Sequence, residues 1–140
     1  MALFGFASGS PGTIALTAGE HPATTESCAT LVQKGWKLHN FEVDSDGLLL
    51  ESQFTALPAD DTKLATVILA HNETGVVQNL MPLARLCYQH NVPFHIDAVQ
   101  AVGKIPVNFR ELGATSLALG AHKFHGPRGI GALLLKDGAK

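Results

Sequence analysis

Lys123 stands between His122 and the run Phe124-His125-Gly126-Pro127. A lysine crowded by imidazoles and an aromatic ring can lose its proton more easily, which an amine needs in order to attack a carbonyl and hold it as a Schiff base. Taken alone, such a residue is more often a solvated loop lysine. Asp97 closes the stretch Val92-Pro93-Phe94-His95-Ile96 and is followed by Ala98-Val99-Gln100-Ala101. A carboxylate at that place is partly desolvated and draws a cationic partner, such as a protonated ring nitrogen on a bound cofactor. The plainer role is a helix N-cap, and the local sequence does not separate the two.

His95 and Asp97 lie two apart on a strand and so share a face. With His122 and His125 they could form a metal site of mixed nitrogen and oxygen ligands, although a hydrogen-bonded core role for His95 is the better reading. His21, in Gly19-Glu20-His21-Pro22, taken singly suits a cap more than a catalyst. Gly126-Pro127-Arg128-Gly129-Ile130-Gly131 lets backbone approach closely but lacks the strand-to-helix setting of a phosphate loop. Cys28 and Cys87 fall on apolar helix faces and read as buried structural thiols.

The elements that must position these residues alternate in type. Thr13–Thr17 reads as a buried strand between Pro11-Gly12 and Gly19. A helix is expected over Pro22–Lys34, stopped by Gly35. Trp36–Val43 should be a strand, Asp44–Gly47 a turn, and Leu49–Leu57 a short helix broken at Pro58. Leu64–Ala70 is a continuous apolar run of the kind covered on both faces. A helix over Pro82–His90, a strand over Val92–Ile96, and strands at Ser116–Leu119 and Ile130–Leu135 complete the pattern, with a polar loop over 120–129. Alternation of this kind implies an α/β fold: right-handed crossovers and a mainly parallel sheet with helices on both faces. Ligands in such folds sit beyond the carboxyl ends of the strands. That rule selects His71-Asn72-Glu73, Asp97 and His122-Lys123, three clusters that would converge.

Composition narrows the function. The chain has 140 residues, 46% of them hydrophobic, which is the size of one ordinary domain. Ten basic and twelve acidic residues leave a net charge of −2, with no cluster of Lys or Arg. No nucleic acid or membrane partner is therefore expected. Two cysteines make no disulfide framework, no basic residue precedes Lys34, and no apolar run approaches the length of a bilayer span. A cytoplasmic setting is the expectation.

Four segments, taken together, carry more than any residue alone. They are Glu20-His21-Pro22-Ala23, His71-Asn72-Glu73-Thr74-Gly75-Val76-Val77-Gln78, His95-Ile96-Asp97-Ala98-Val99-Gln100-Ala101-Val102-Gly103-Lys104, and Ala121-His122-Lys123-Phe124-His125-Gly126-Pro127-Arg128-Gly129. In this order and spacing they resemble the cysteine desulfurase and selenocysteine lyase branch of the class V aminotransferases, fold-type-I enzymes that use pyridoxal 5'-phosphate (PLP). The resemblance covers nearly the whole chain. It implies that Lys123 forms the internal aldimine, that Asp97 pairs with the pyridinium nitrogen and keeps the ring an electron sink, and that Gln100 bonds the phenolic oxygen. It implies further that His21 stacks on the ring and helps proton transfer, that Asn72 lies near the phenolic oxygen and the substrate carboxylate, and that His122 helps hold the phosphate.

The implied reaction takes sulfur from L-cysteine to an enzyme cysteine as a persulfide, leaving alanine. Selenocysteine cleavage and C–S lysis share all these motifs. The family implies a homodimer and a possible sulfur-acceptor protein serving iron-sulfur cluster assembly. Departures are visible too. Gly120 stands where a phosphate-binding hydroxyl is usual, and His71 replaces the first Asn of an Asn-Asn-Glu. Residues 1–140 are expected to be part of the large, cofactor-binding domain, with Ala2–Phe6 the tail of a helix. The N-terminal phosphate-loop segment, the substrate-binding arginine, the mobile cysteine and the smaller C-terminal domain are not among them. Little or no turnover is expected of these residues by themselves, and a non-catalytic remnant is the alternative.

Overall fold

The computed structural model describes residues 2–139. Its centre is a six-stranded sheet: β1 (Thr13–Thr17), β2 (Lys37–Phe41), β3 (Thr62–Ile68), β4 (Phe94–Asp97), β5 (Ser116–Gly120) and β6 (Gly131–Leu135). The spatial order is β2-β1-β3-β4-β5-β6, with β1 to β5 parallel and β6 antiparallel to β5. β1 and most of β3 are buried, as strands covered on both faces must be. The chain steps from β1 outward to β2, then returns to place β3 on the opposite side of β1. That reversal is the switch point of an open α/β sheet.

Helices cover both faces. On one, α1 (Ala2–Phe6) and α2 (Pro22–Val32) put Leu3, Cys28 and Leu31 against Ile14, Leu16 and Leu64. On the other, α3 (Met81–Gln89) buries Leu83, Ala84, Leu86 and Cys87 against Ala65, Val67, Phe94 and Ile96. The short α4 (Phe109–Leu112) adds Phe109 and Leu112 to the edge of the same core. The architecture is the three-layer α/β arrangement expected, and both thiols are buried, as their apolar helix faces required.

α2 starts at Pro22, whose fixed φ suits the first helical position, and the chain leaves it through Gly35 at φ 92°. The expected helix over Leu49–Leu57 is reduced to a single 3-10 turn, Glu51–Phe54. The cause is local. Leu49 bridges back to Val43 across the Asp44–Gly47 turn, its N–H bonds the Gln78 side chain, and Leu50 is extended, so one turn is all that fits before Pro58. β3 is shifted toward its N-terminus relative to the apolar run, because pairing with β1 begins at Thr62 and ends at Thr66. α4 went unread in the sequence: four residues hold too little apolar periodicity to announce a helix, although Asn108 caps it and Gly113 ends it in the left-handed region.

Candidate active site

Four parallel strands, β1, β3, β4 and β5, end side by side. Leu16 pairs with Thr66, Ile68 with Asp97, and Asp97 with Ala118. The segments that follow are therefore neighbours: Gly19-Glu20-His21 after β1, Leu69 to Asn72 after β3, Ala98 to Gln100 after β4, and Ala121–Lys123 after β5. Close contacts join them. A Cβ at Gly19 would lie 3.1 Å from the His71 ring. One at Gly120 would meet His122 at 3.2 Å and Val99 at 3.3 Å, and one at Gly103 would sit inside Phe124. Small residues thus let the strand-end loops close on one another.

Asp97 is buried, and its Oδ1 accepts the Val99 N–H at 3.0 Å. That is half of the cap reading, although residues 98–104 form a run of turns and not a helix. Oδ2 makes no hydrogen bond among the described residues. Lys123 ends a single 3-10 turn, Ala121–Lys123, and is exposed. The enclosure suggested by its neighbours is not present. His122 leans on Gly120, Phe124 packs on Gly103, and His125 is exposed with a left-handed φ of 67°. That conformation is uncommon outside glycine.

His21 is exposed and caps α2, its Nδ1 accepting the Ala23 N–H at 3.2 Å. With Nδ1 an acceptor, the proton of the neutral ring is carried on Nε2. Gln100 is half-buried, and its Oε1 accepts from Lys104 Nζ at 2.6 Å. Asn72 is exposed at the start of the turn after β3. His71 Nδ1 accepts the N–H groups of Glu73 and Thr74, so this ring orders the turn that carries Asn72. Gln78, part of the same motif, is structural: it accepts from Leu49 N–H and donates to the Gly47 carbonyl.

The proposed metal set does not assemble. His95 points into the sheet layer, where its Nδ1 shares a 2.7 Å hydrogen bond with Ser116, and burial pushes its pKa down to about 4. It is a neutral core imidazole. No three His, Cys, Asp or Glu side chains gather for a metal among the described residues. A cleft of about 460 Å³ lies at the other end of the sheet, beside Pro93, Thr115 and Lys136, away from these groups.

Glu20 is the residue that sequence reasoning passed over. It was legible only as a flank of His21, yet it is buried, and one of its oxygens has no partner. Desolvation raises its pKa to about 7, against the hydrogen bonds from Thr17 and Ile68 and with a further upward push from Asp97. An acid placed just after an apolar strand and Gly19 was the one hint, and its letters do not say whether such an acid turns inward.

The family model for class-V aminotransferases matches residues 5–140. The chain belongs to this family. Among curated class-V relatives, a cysteine desulfurase of Klebsiella pneumoniae is 42% identical over 121 residues, which are 86% of this chain and 30% of that protein. The cysteine desulfurase NifS of Azotobacter vinelandii is 38% identical over 128 residues, 91% of this chain and 32% of that one. A solved structure titled as a NifS-like protein superposes with a TM-score of 0.90 at 34% identity, covering 98% of this chain and 39% of that chain. Another, titled SspA in complex with cysteine, gives 0.85 at 29% identity, covering 91% and 37%. The chain spans about a third of the length of these relatives. Members of the family depend on PLP. The residues here fit that group: a buried carboxylate on β4 with one oxygen unclaimed among the described residues, an exposed lysine one strand away, and an exposed imidazole two strands away on the other side, at the β1 end.

Proposed function

We propose that these residues are part of the cofactor-binding domain of a PLP-dependent cysteine desulfurase. The observation that carries the reading is the alignment of Asp97 with the β5 end that leads to Lys123, across the Asp97–Ala118 pair. When bound, PLP supplies an electron sink that makes the bonds around an amino acid's α-carbon labile. Asp97 Oδ2 would be the oxygen free to face a protonated ring nitrogen, with Oδ1 held by the Val99 N–H, which fixes the carboxylate plane. Lys123 Nζ, exposed to solvent, would be the amine that holds the cofactor.

His21 presents a flat ring and Nε2, the atom left to give or take a proton once Nδ1 is held by Ala23. Asn72 offers an amide donor from the β3 end, and His122 an imidazole from the β5 end. Gln100 joins them by releasing Lys104. With Gly120 in place of a hydroxyl, the phosphate has one donor fewer from this loop.

L-cysteine is the proposed substrate, on the strength of the relatives' names, and the products are alanine and sulfur passed on as a persulfide. Neither thiol here takes that sulfur. Burial pushes Cys28 up to about 11 and Cys87 up to about 12, so the nucleophilic thiolate is scarce in both. The acceptor is a cysteine elsewhere in the protein or on a sulfur-acceptor partner. Pairing of two copies as a homodimer is part of the same proposal. Adding L-cysteine to the PLP-loaded chain, freed of unbound PLP, is expected to change the visible spectrum of the bound cofactor at concentrations where L-serine does not. A wild-type spectrum indifferent to saturating L-cysteine contradicts the substrate assignment.

A further inference from the structure

Parallel pairing of β1 with β3 stops at Leu16–Thr66. Beyond that point β1 turns away, and the Ile68 N–H faces a place where no strand remains. The Glu20 carboxyl fills it. Its Oε1 accepts the Ile68 N–H at 3.0 Å and also the Thr17 hydroxyl, so one oxygen ties the last residue of β1 to the last of β3. Ile68 is the residue in register with Asp97, and the next amide, Leu69 N–H, donates to the Asp97 carbonyl at 2.8 Å. Two hydrogen bonds, joined through the covalent Ile68–Leu69 link, therefore connect the residue before His21 to the backbone of Asp97, across the switch point of the sheet.

We propose that Glu20 is a positioning residue: by clamping Ile68 it fixes the distance between His21 at the β1 end and Asp97 at the β4 end, the two groups that must meet opposite parts of one bound ring. The inference rests on the PLP reading of the site and adds to it a residue with no contact to the cofactor.

Burial supports the role. Glu20 is 7% exposed, and its Oε2 is buried without a partner. Asp97 on β4 and Cys28 on α2 are the ionisable groups that act on it or feel it, and the His71 ring lies against the adjoining Gly19. A dry carboxyl beside a second carboxylate favours its neutral form. Glu20 then accepts hydrogen bonds without adding a second charge, and Asp97 is left as the carboxylate available to a ring cation. The feature that matters is reach: an acceptor oxygen at the end of two methylenes.

The test compares wild type with Glu20→Gln, Glu20→Asp and Glu20→Ala, using amide hydrogen exchange at Ile68 without cofactor and PLP affinity by absorbance titration. Glu20→Gln keeps the reach without the charge, and is expected to bind PLP within about threefold of wild type with the Ile68 amide still protected. Glu20→Asp keeps the carboxyl group and loses the reach. It and Glu20→Ala are expected to exchange Ile68 faster and to bind PLP roughly tenfold more weakly. Should Glu20→Ala not fold, the Gln and Asp pair carries the comparison.

Glu20→Asp behaving as wild type, or Glu20→Gln failing as Ala does, overturns the proposal. So does an Ile68 amide equally protected in all four proteins. Normal exchange effects with unchanged PLP affinity overturn the positioning role while leaving the PLP reading intact. A wild-type chain that binds no PLP overturns both.

Discussion

Glu20 and His95 are buried ionisable groups with opposite proton preferences, and their effects on stability oppose each other. The folded chain holds Glu20 at about 7 against an ordinary 4.5, so between those values it keeps a proton that the unfolded chain has lost, and stability falls as pH rises through that window. His95, at about 4 against 6.5, has lost its proton in the folded chain while the unfolded chain still carries it, so stability rises with pH between 4 and 6.5. The two trends offset one another until about pH 6.5, after which Glu20 alone continues downward to about 7. Urea unfolding should find Glu20→Gln more stable than wild type at pH 8 by about 3 kcal/mol, with stability that climbs from pH 4 to 6.5 and then levels. Parallel curves for the two proteins would show that Glu20 titrates normally. The thiols make a separate prediction: Cys28 and Cys87 should resist iodoacetamide in the folded chain and alkylate readily in urea, with early labelling of either pointing to a more open packing.

At this scale Asp97 and Lys123 were legible because each follows an apolar strand, and strand ends are where such folds place ligands. Glu20 was not, since nothing in the letters distinguishes an acid turned inward from one turned to solvent. Nor was the exposure of Lys123, which depends on His122 and Phe124 being drawn to Gly120 and Gly103 in other loops.

Among the elements, the loop after β5 depends on glycine for its shape. A Cβ on Gly126 would lie 2.7 Å from the Ala121 side chain and 2.9 Å from its carbonyl, with the Gly126 N–H bonded to that same carbonyl at 2.8 Å. Gly126→Ala must open the turn that carries Lys123. Thermal unfolding should register a loss of about 1–3 kcal/mol, and PLP labelling of Lys123 should fall with it. A protein of wild-type stability and labelling would mean that the loop has slack the structure does not show. α2 allows its cap to be separated from its imidazole. Asn is a good N-cap, so His21→Asn should keep the melting temperature while His21→Ala loses about 1 kcal/mol. Equal melting of the two would remove the cap as a reason for His21.

Most strands were readable from apolar runs and β2 from a looser alternation, while α2 and α3 were readable from Pro22, Gly35 and Pro82. The failed helix over Leu49–Leu57 marks the limit of that reasoning. Its fate was set by the Val43–Leu49 bridge and by Gln78, a residue twenty-nine positions away.

The whole molecule presents an open edge. Among the described residues β6 pairs with β5 on one side only, and Ile130, Leu134 and Leu135 are exposed along it. An uncharged apolar edge strand invites pairing with another chain. Sedimentation velocity is expected to show association that grows with concentration and that Leu135→Lys reduces; a monomer at all concentrations would show the edge to be inert. The mainly parallel sheet and the convergence of three strand ends on one side were implied by the alternation of elements, whereas the strand order and the antiparallel turn of β6 were not, because neither a switch point nor a hairpin-like return through the loop over 120–130 leaves a mark in hydrophobic periodicity.

The central claim is that this convergence is a PLP site with Lys123 as its amine. Incubation with PLP, reduction with borohydride and peptide mass spectrometry test it directly. The result predicted is a pyridoxyl adduct on Lys123 that dominates over the other lysines and weakens in Asp97→Asn. Lys123 unmodified at saturating PLP, or labelled no more than the solvated lysines of the surface, would contradict it.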